Sequence, residues 1–172
     1  MVRTAIDLAD ADGLANTSMR RIASSLDLDF ATLRKSVDDR AHLEILMADA
    51  IFAEHPPPEP PAGDWRAQLE ALCRLQLLMY RRHRWLAEAV SFKKPQLSPH
   101  VAGHTEWAVR GLAGDGPAPE TARRLAATAA NFVRGHAMNL AQEPPESGVD
   151  EDTALFEFGL QRLLDGFAPL VH

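Results

Sequence analysis

At 172 residues, with 46% hydrophobic and 24% charged side chains, the chain has the length for one good core or two small domains and the composition of a folded globular protein, not a disordered one. Its apolar runs fall far short of the roughly 20 residues that cross a bilayer, which excludes a membrane-spanning helix. The single cysteine, Cys73, excludes an internal disulfide, and the net charge of −6 leaves little general attraction for polyanions.

Met1 leads directly into amphipathic sequence without the basic-then-apolar pattern of a secretory signal, so a cytoplasmic protein is expected. The first predicted helix is Thr4 to Ala11, with Ala5, Ile6, Leu8 and Ala9 apolar and Asp7, Asp10 and Asp12 outward. Gly13 is a natural stop, since glycine takes left-handed angles without steric cost. From Leu14 to Leu43 the pattern reads as two short helices about a tight turn. Met19, Ile22, Ala23 and Leu26 fall on one helical face, with Ser18 placed to cap it. Phe30, Leu33 and Val37 repeat the spacing, with Asp29 as the second cap. Only Leu26-Asp27-Leu28-Asp29 separates them, which forces a sharp reversal. Two helices crossed over a turn of about three or four residues make a helix-turn-helix, whose second helix can enter a DNA major groove.

A fourth helix, Ala41 to Ala53, carries a stripe of Leu43, Leu46, Met47, Ala50 and Ile51. Five prolines between Pro56 and Pro61 then break all helix, and we read 55–63 as a semi-rigid linker in preference to a proline-recognition ligand. The expected division is a head at 1–54, the linker at 55–63 and a body at 64–172. Asp64 caps the next helix, Trp65 to Arg82, apolar on nearly every face and so expected at the centre of a bundle, with Cys73 as core packing. Arg81-Arg82-His83-Arg84 reads as a solvated helix end that complements the dipole, in preference to a nucleic-acid patch. Further helices are expected at Trp85 to Phe92, Val101 to Leu112, Glu120 to Ala141 and Asp152 to Leu170, with loops at Lys93 to Pro99 and Gln142 to Glu151 and a turn at Gly114 to Pro119. Phe156, Leu160, Leu163, Leu164 and Phe167 form the main stripe of the last helix, while Leu155, Phe158 and Gly159 lie off it. That much apolar surface calls for cover on two sides, by the core and by a second subunit. There is no internal repeat, no strand pattern and no heptad; the fold class is all-α.

The run from Gly13 to Leu43, above all Ser18-Met19-Arg20-Arg21-Ile22-Ala23 with Leu33 and Val37, resembles the DNA-binding head of the tetracycline-repressor (TetR) family. Phe156-Glu157-Phe158-Gly159-Leu160 with Leu163-Leu164-Asp165-Gly166 resembles the closing helix of that family's tetracycline-repressor-type C-terminal domain. The resemblance implies a ligand-responsive regulator, a repressor released by a small organic effector, that binds double-stranded operator DNA as a homodimer through the 120–141 and 152–170 helices. By position it assigns DNA contact to Arg20, to Phe30, Ala31, Thr32, Arg34, Lys35 and Ser36 on the recognition helix, and to Arg40. Asp27 stands where the family usually has the glycine of the turn, Arg34 where it has a common tyrosine, and Ser36 where it has an aromatic residue or histidine. Arg34 could pair two hydrogen bonds to guanine. The basic arm that usually precedes the first helix is missing, so that either the arm is absent or the true start lies upstream. Met1 to Glu54 holds six basic residues against ten acidic, a net of −4, so DNA affinity requires its cations to cluster on one face. That acidity keeps an alternative open, a dimeric ligand-binding or interaction module that no longer touches DNA.

For the effector, Gln76, Tyr80, His104, Trp107, Phe132 and His136 are the expected pocket lining, apolar or aromatic walls with few polar groups. No cofactor or metal is expected. His100 and His104 stand four apart, but Val101 follows His100 where a zinc protease motif has glutamate, and no Glu-x-x-His pair supports a di-iron bundle. No Gly-x-Ser-x-Gly, phosphate-cradling glycine loop or Cys-x-x-Cys occurs, so an enzyme is not expected.

Overall fold

In a computed structural model, residues 1–58, 64–90, 98–114, 116–142 and 149–171 are described, with the side chains of 149 and 150 left aside. Helices α1 (Val2–Asp12), α2 (Met19–Ser25), α3 (Phe30–Ser36) and α4 (Arg40–Glu54) are followed by α5 (Trp65–Arg82), α6 (Leu86–Ala89), α7 (Pro99–Ala113), α8 (Pro119–Leu140) and α9 (Val149–Val171). No strand occurs among the described residues.

Short polar side chains start these helices where the sequence places them. The Ser18 hydroxyl accepts the Arg21 N–H, Asp29 accepts that of Thr32, and Asp64 accepts those of Arg66 and Ala67. Asp39 does the same for His42 at the start of α4. Each satisfies a donor that a helix N-terminus otherwise leaves open. Two turns need left-handed backbone. Gly13 ends α1 at φ 82°, and Asp27 holds φ 53° in the α2–α3 turn, a conformation that aspartate tolerates better than most L-residues.

Ile6, Ile22, Leu33, Met47, Ile51 and Phe52 from α1–α4 belong to the same apolar cluster as Leu69, Leu86, Leu112, Val133 and Leu160. Helix α4 carries that continuity by packing on α7 and α6. Helix α8 lies against α7 and α5, and its buried Ala122, Ala126 and Ala129 let the neighbours approach closely. Helix α9 meets α8 through stacked rings, Phe132 on Phe156 at 5.4 Å, and Gly159 makes this contact fit: a Cβ there would stand 2.9 Å from the Phe132 ring.

The structure corrects several expectations. Helix α6 ends at Ala89, so the predicted Trp85 to Phe92 helix is cut short, and 91–97 lie outside the described residues. Pro99 opens α7 instead of closing a loop, because a first-turn position needs no N–H. Helix α9 begins at Val149, inside the expected polar loop, of which 143–148 are not described. Helix α5 is not buried all round: Leu78 is 61% exposed and Arg74 faces outward.

Of the basic cluster at the end of α5, Arg82 is exposed as a solvated end requires, but the other three side chains are engaged. Arg81 donates to Asp152 and Thr153 of α9, Arg84 to the Leu140 carbonyl of α8, and His83 is buried against Asp10 of α1. Arg66 and Arg74 extend that seam along α5. Arg66 reaches Gln161 and Asp165, and Arg74 makes a bidentate pair with Glu157 at 2.8 Å for both contacts.

Candidate nucleic-acid interface and effector cavity

Helix α3 buries one side chain, Leu33, and presents the other six to solvent. Phe30, Ala31, Thr32, Arg34, Lys35 and Ser36 therefore share an open surface, and the Phe30 ring, 41% exposed, is no part of the core. Arg20 of α2 joins them, its guanidinium 5.9 Å from the centre of the Phe30 ring. An open groove runs between Arg20, Ser24, Asp27, Leu28 and Phe30 along the turn.

The six cations of 1–54 divide evenly. Arg3 pairs with Glu54, and Arg21 with Asp12. Arg40 donates to Glu44 at 2.7 Å and to the Leu14 carbonyl at 2.8 Å, so its guanidinium is turned toward the protein. Arg20, Arg34 and Lys35 have no ion-pair partner among the described residues. All three lie on α2 and α3, which supplies in part the clustering that a head of net −4 requires.

A second feature lies between α5, α7 and α8. Leu69, Leu72, Cys73 and Gln76 form one wall, His104, Thr105 and Ala108 another, and Ala126, Ala129 and Ala130 the third. The cavity measures about 10 Å³, no more than one water molecule needs. One of its polar atoms lacks a partner. His104, 2% exposed, bonds the His55 carbonyl through Nε2 at 2.9 Å, while its buried Nδ1 has none. Gln76, a buried residue, turns toward the same cavity. Burial pushes the His104 ring down to about 4 against the His55 carbonyl, which favours the protonated form. The ring is thus neutral at physiological pH. Burial also pushes the Cys73 thiol up to about 12, which leaves it inert packing at this wall.

Of the six side chains expected around an effector, the structure brings Gln76 and His104 to this cavity and places the others elsewhere. Tyr80 is buried in the core, Trp107 is half-buried against it, and Phe132 and His136 meet the Phe156 ring of α9. His136 Nε2 stands 2.9 Å from Asp152 Oδ1 but off the line that a hydrogen bond needs. Thr105 and the alanines of α8 escaped sequence reasoning, since small residues at helical spacing signal close packing as readily as a pocket wall. No group of three or more metal-ligating side chains occurs among the described residues.

The α4–α7 contact joins the two features. Asp49 of α4 accepts the N–H groups of His100 and Val101, capping α7 from another helix, and its second oxygen lies 2.8 Å from His100 Nδ1. The His55 carbonyl that holds His104 is at the C-terminal end of α4.

Residues 57–148 match the family model described as the tetracyclin repressor-like C-terminal domain. The chain belongs to the TetR family. It is 32% identical, over an alignment of 211 residues, to the HTH-type transcriptional repressor DrrR1 of Streptomyces coeruleorubidus, covering 99% of this TetR-family chain and 77% of that relative. Among solved structures, the Streptomyces coelicolor TetR family protein ActR in complex with (S)-DNPA aligns with a TM-score of 0.85 at 27% identity, over 98% of this chain and 96% of that one. BioQ with its natural double-stranded DNA operator aligns with a TM-score of 0.81 at 25% identity, over 98% and 95%. This TetR-family chain is thus a helix-turn-helix transcriptional regulator in fold and family, and no described helix is long and apolar enough to cross a membrane.

Proposed function

We propose that this protein is a cytoplasmic, non-catalytic repressor that grips operator DNA as a homodimer through α2 and α3 and lets go when a small organic effector enters between α5, α7 and α8. The observation that carries the reading is α3 itself, a recognition helix with six of seven side chains open to solvent and Arg34 and Lys35 unpaired among the described residues. The relative named as a repressor, ActR with its small molecule and BioQ with its operator all support it. We keep 1–54 as the reading head, 55–63 as the linker and 64–172 as the effector and dimer body.

In this reading the closed cavity is the DNA-competent state. A drug-sized ligand needs about 300 Å³ or more, so its entry must part the three helices. Gln76 and the His104 ring offer it polar partners. Movement of α7 is passed to α4 through Asp49 and the His55 carbonyl, and α4 carries the head. The effector shifts the equilibrium only by its difference in affinity between the open and closed states.

The dimer surface is the outer face of α8 and α9, where Met138, Leu155, Phe158 and Leu170 are 37%, 64%, 65% and 52% exposed. Phe158→Glu should leave the chain folded and convert dimers to monomers in sedimentation. An unchanged sedimentation coefficient rejects this face.

Gel shifts and footprints on the intergenic DNA beside the gene test the function. A protected palindrome with half-sites about 34 Å apart is expected. No binding at low salt defeats the repressor reading. The acidic head, with three of six cations already paired, would then favour the module that binds ligand without DNA.

A further inference from the structure

Asp10 belongs to α1, yet its carboxylate serves the other half of the molecule. It lies 2.8 and 3.0 Å from His83 Nδ1 and accepts the Trp85 indole N–H at 2.7 Å. His83 caps the C-terminus of α5 and Trp85 precedes α6, so the carboxylate is held at the corner between them. Both rings are 5% exposed and meet edge to face at 6.0 Å. Three short contacts from rings that cannot swing fix the carboxylate in position and direction. Helix α1 packs on α2 and α4, so its placement sets that of α2 and α3.

The corner is removed from the cavity. His83 lies seven residues beyond Gln76, the last α5 residue of the cavity wall, a rise of about 10 Å along the helix. The other hydrogen-bonded ties between α1–α4 and the body, through Asp49 and the His55 carbonyl, end on α7, which lines the cavity, while the apolar packing of α4 on α6 lies on the side of the corner. Among the described residues, hydrogen bonds therefore hold the N-terminal helices at one point away from the cavity and at two beside it. Displacement of α7 against a fixed corner turns the head; without the carboxylate, that side is held only by the apolar packing of α4 on α6, which fixes the angle less tightly.

We propose that Asp10 is a positioning residue for DNA recognition: its carboxylate, held by His83 and Trp85, is the pivot that sets the angle of α3 against the body. The proposal rests on the repressor reading. Asp10→Asn keeps the shape but points an N–H at donors, and His83→Phe keeps the ring but removes the donor. Two measurements test them. In the first, spin labels at Lys35→Cys and Arg124→Cys, in chains diluted with unlabelled protein, report the head-to-body distance. A narrow distribution is expected in the parent and one about twice as wide in either variant. In the second, a duplex selected from a random pool by the wild-type protein is compared with the same duplex carrying one inserted base pair between half-sites. The wild type should prefer the former about tenfold and either variant no more than about threefold, the affinity difference that alignment of two half-sites carries.

Unchanged distance widths and spacing ratios in both variants overturn the inference while leaving the repressor reading intact. Variants that fail to fold make Asp10 a stability residue only and also overturn it. A wild-type protein that selects no duplex overturns the repressor reading, and this inference with it.

Discussion

His104 is the residue in which fold and cavity meet, because one ring nitrogen holds the end of α4 while the other is buried without a hydrogen-bond partner. Its burial has a measurable consequence. The unfolded chain takes up the proton near the ordinary 6.5, whereas the native ring, pushed down to about 4, does not. Between those values the unfolded state binds more protons, so stability falls as pH drops through this window. From pH 7 to pH 5 the loss from this one group is about 2 kcal/mol. His104→Gln can still donate to the His55 carbonyl and does not titrate. Denaturant unfolding at pH 7, 6 and 5 should show the variant losing about 2 kcal/mol less than wild type over that range. Parallel curves would mean that the ring charges in place.

At the scale of the element, α3 is too short to be helical alone, and its start is fixed by one side chain. Asp29 accepts both the backbone N–H of Thr32, at 2.8 Å, and its hydroxyl, at 2.6 Å. The two bonds hold this carboxyl below the usual carboxylate range. Asp29→Ala should lower stability and fray the recognition helix. DNA affinity in gel shifts should fall while effector affinity by calorimetry stays unchanged; a parallel loss of both would place Asp29 in global folding instead. Elements of this kind were legible from sequence because their causes are local. The Ser18, Asp29 and Asp64 caps, the strained Asp27 turn and the span of α5 all follow from residues a few positions apart. What stayed hidden depends on partners far along the chain. Nothing near Arg81 or Arg84 announces Asp152 or the Leu140 carbonyl, so a row of cations read as a solvated helix end. Similarly, helical spacing put Tyr80, Trp107, Phe132 and His136 on apolar faces without saying which faces enclose a cavity and which meet α9 or the core.

Over the whole molecule, a net charge of −6 makes electrostatics the term that sets how DNA is held. Half of the head's cations are engaged with Glu54, Asp12 and Glu44, and only Arg20, Arg34 and Lys35 are without such partners among the described residues. Each phosphate contact releases condensed counterions, and the logarithm of affinity falls with the logarithm of salt at about 0.9 per contact. Three cations per subunit give six per dimer, so the slope should be about −5 and no steeper. Arg34→Gln, present in both subunits, should flatten it by about 2 if that side chain meets phosphate. If it reads guanine, the slope should stay nearer the parent's, and discrimination against a changed base should fall by about 1–3 kcal/mol. Titrations at four or five salt concentrations measure both quantities. A slope of about −8 or steeper would require Arg3, Arg21 and Arg40 to leave their carboxylates on DNA, and the division of the head into engaged and free cations would then be wrong.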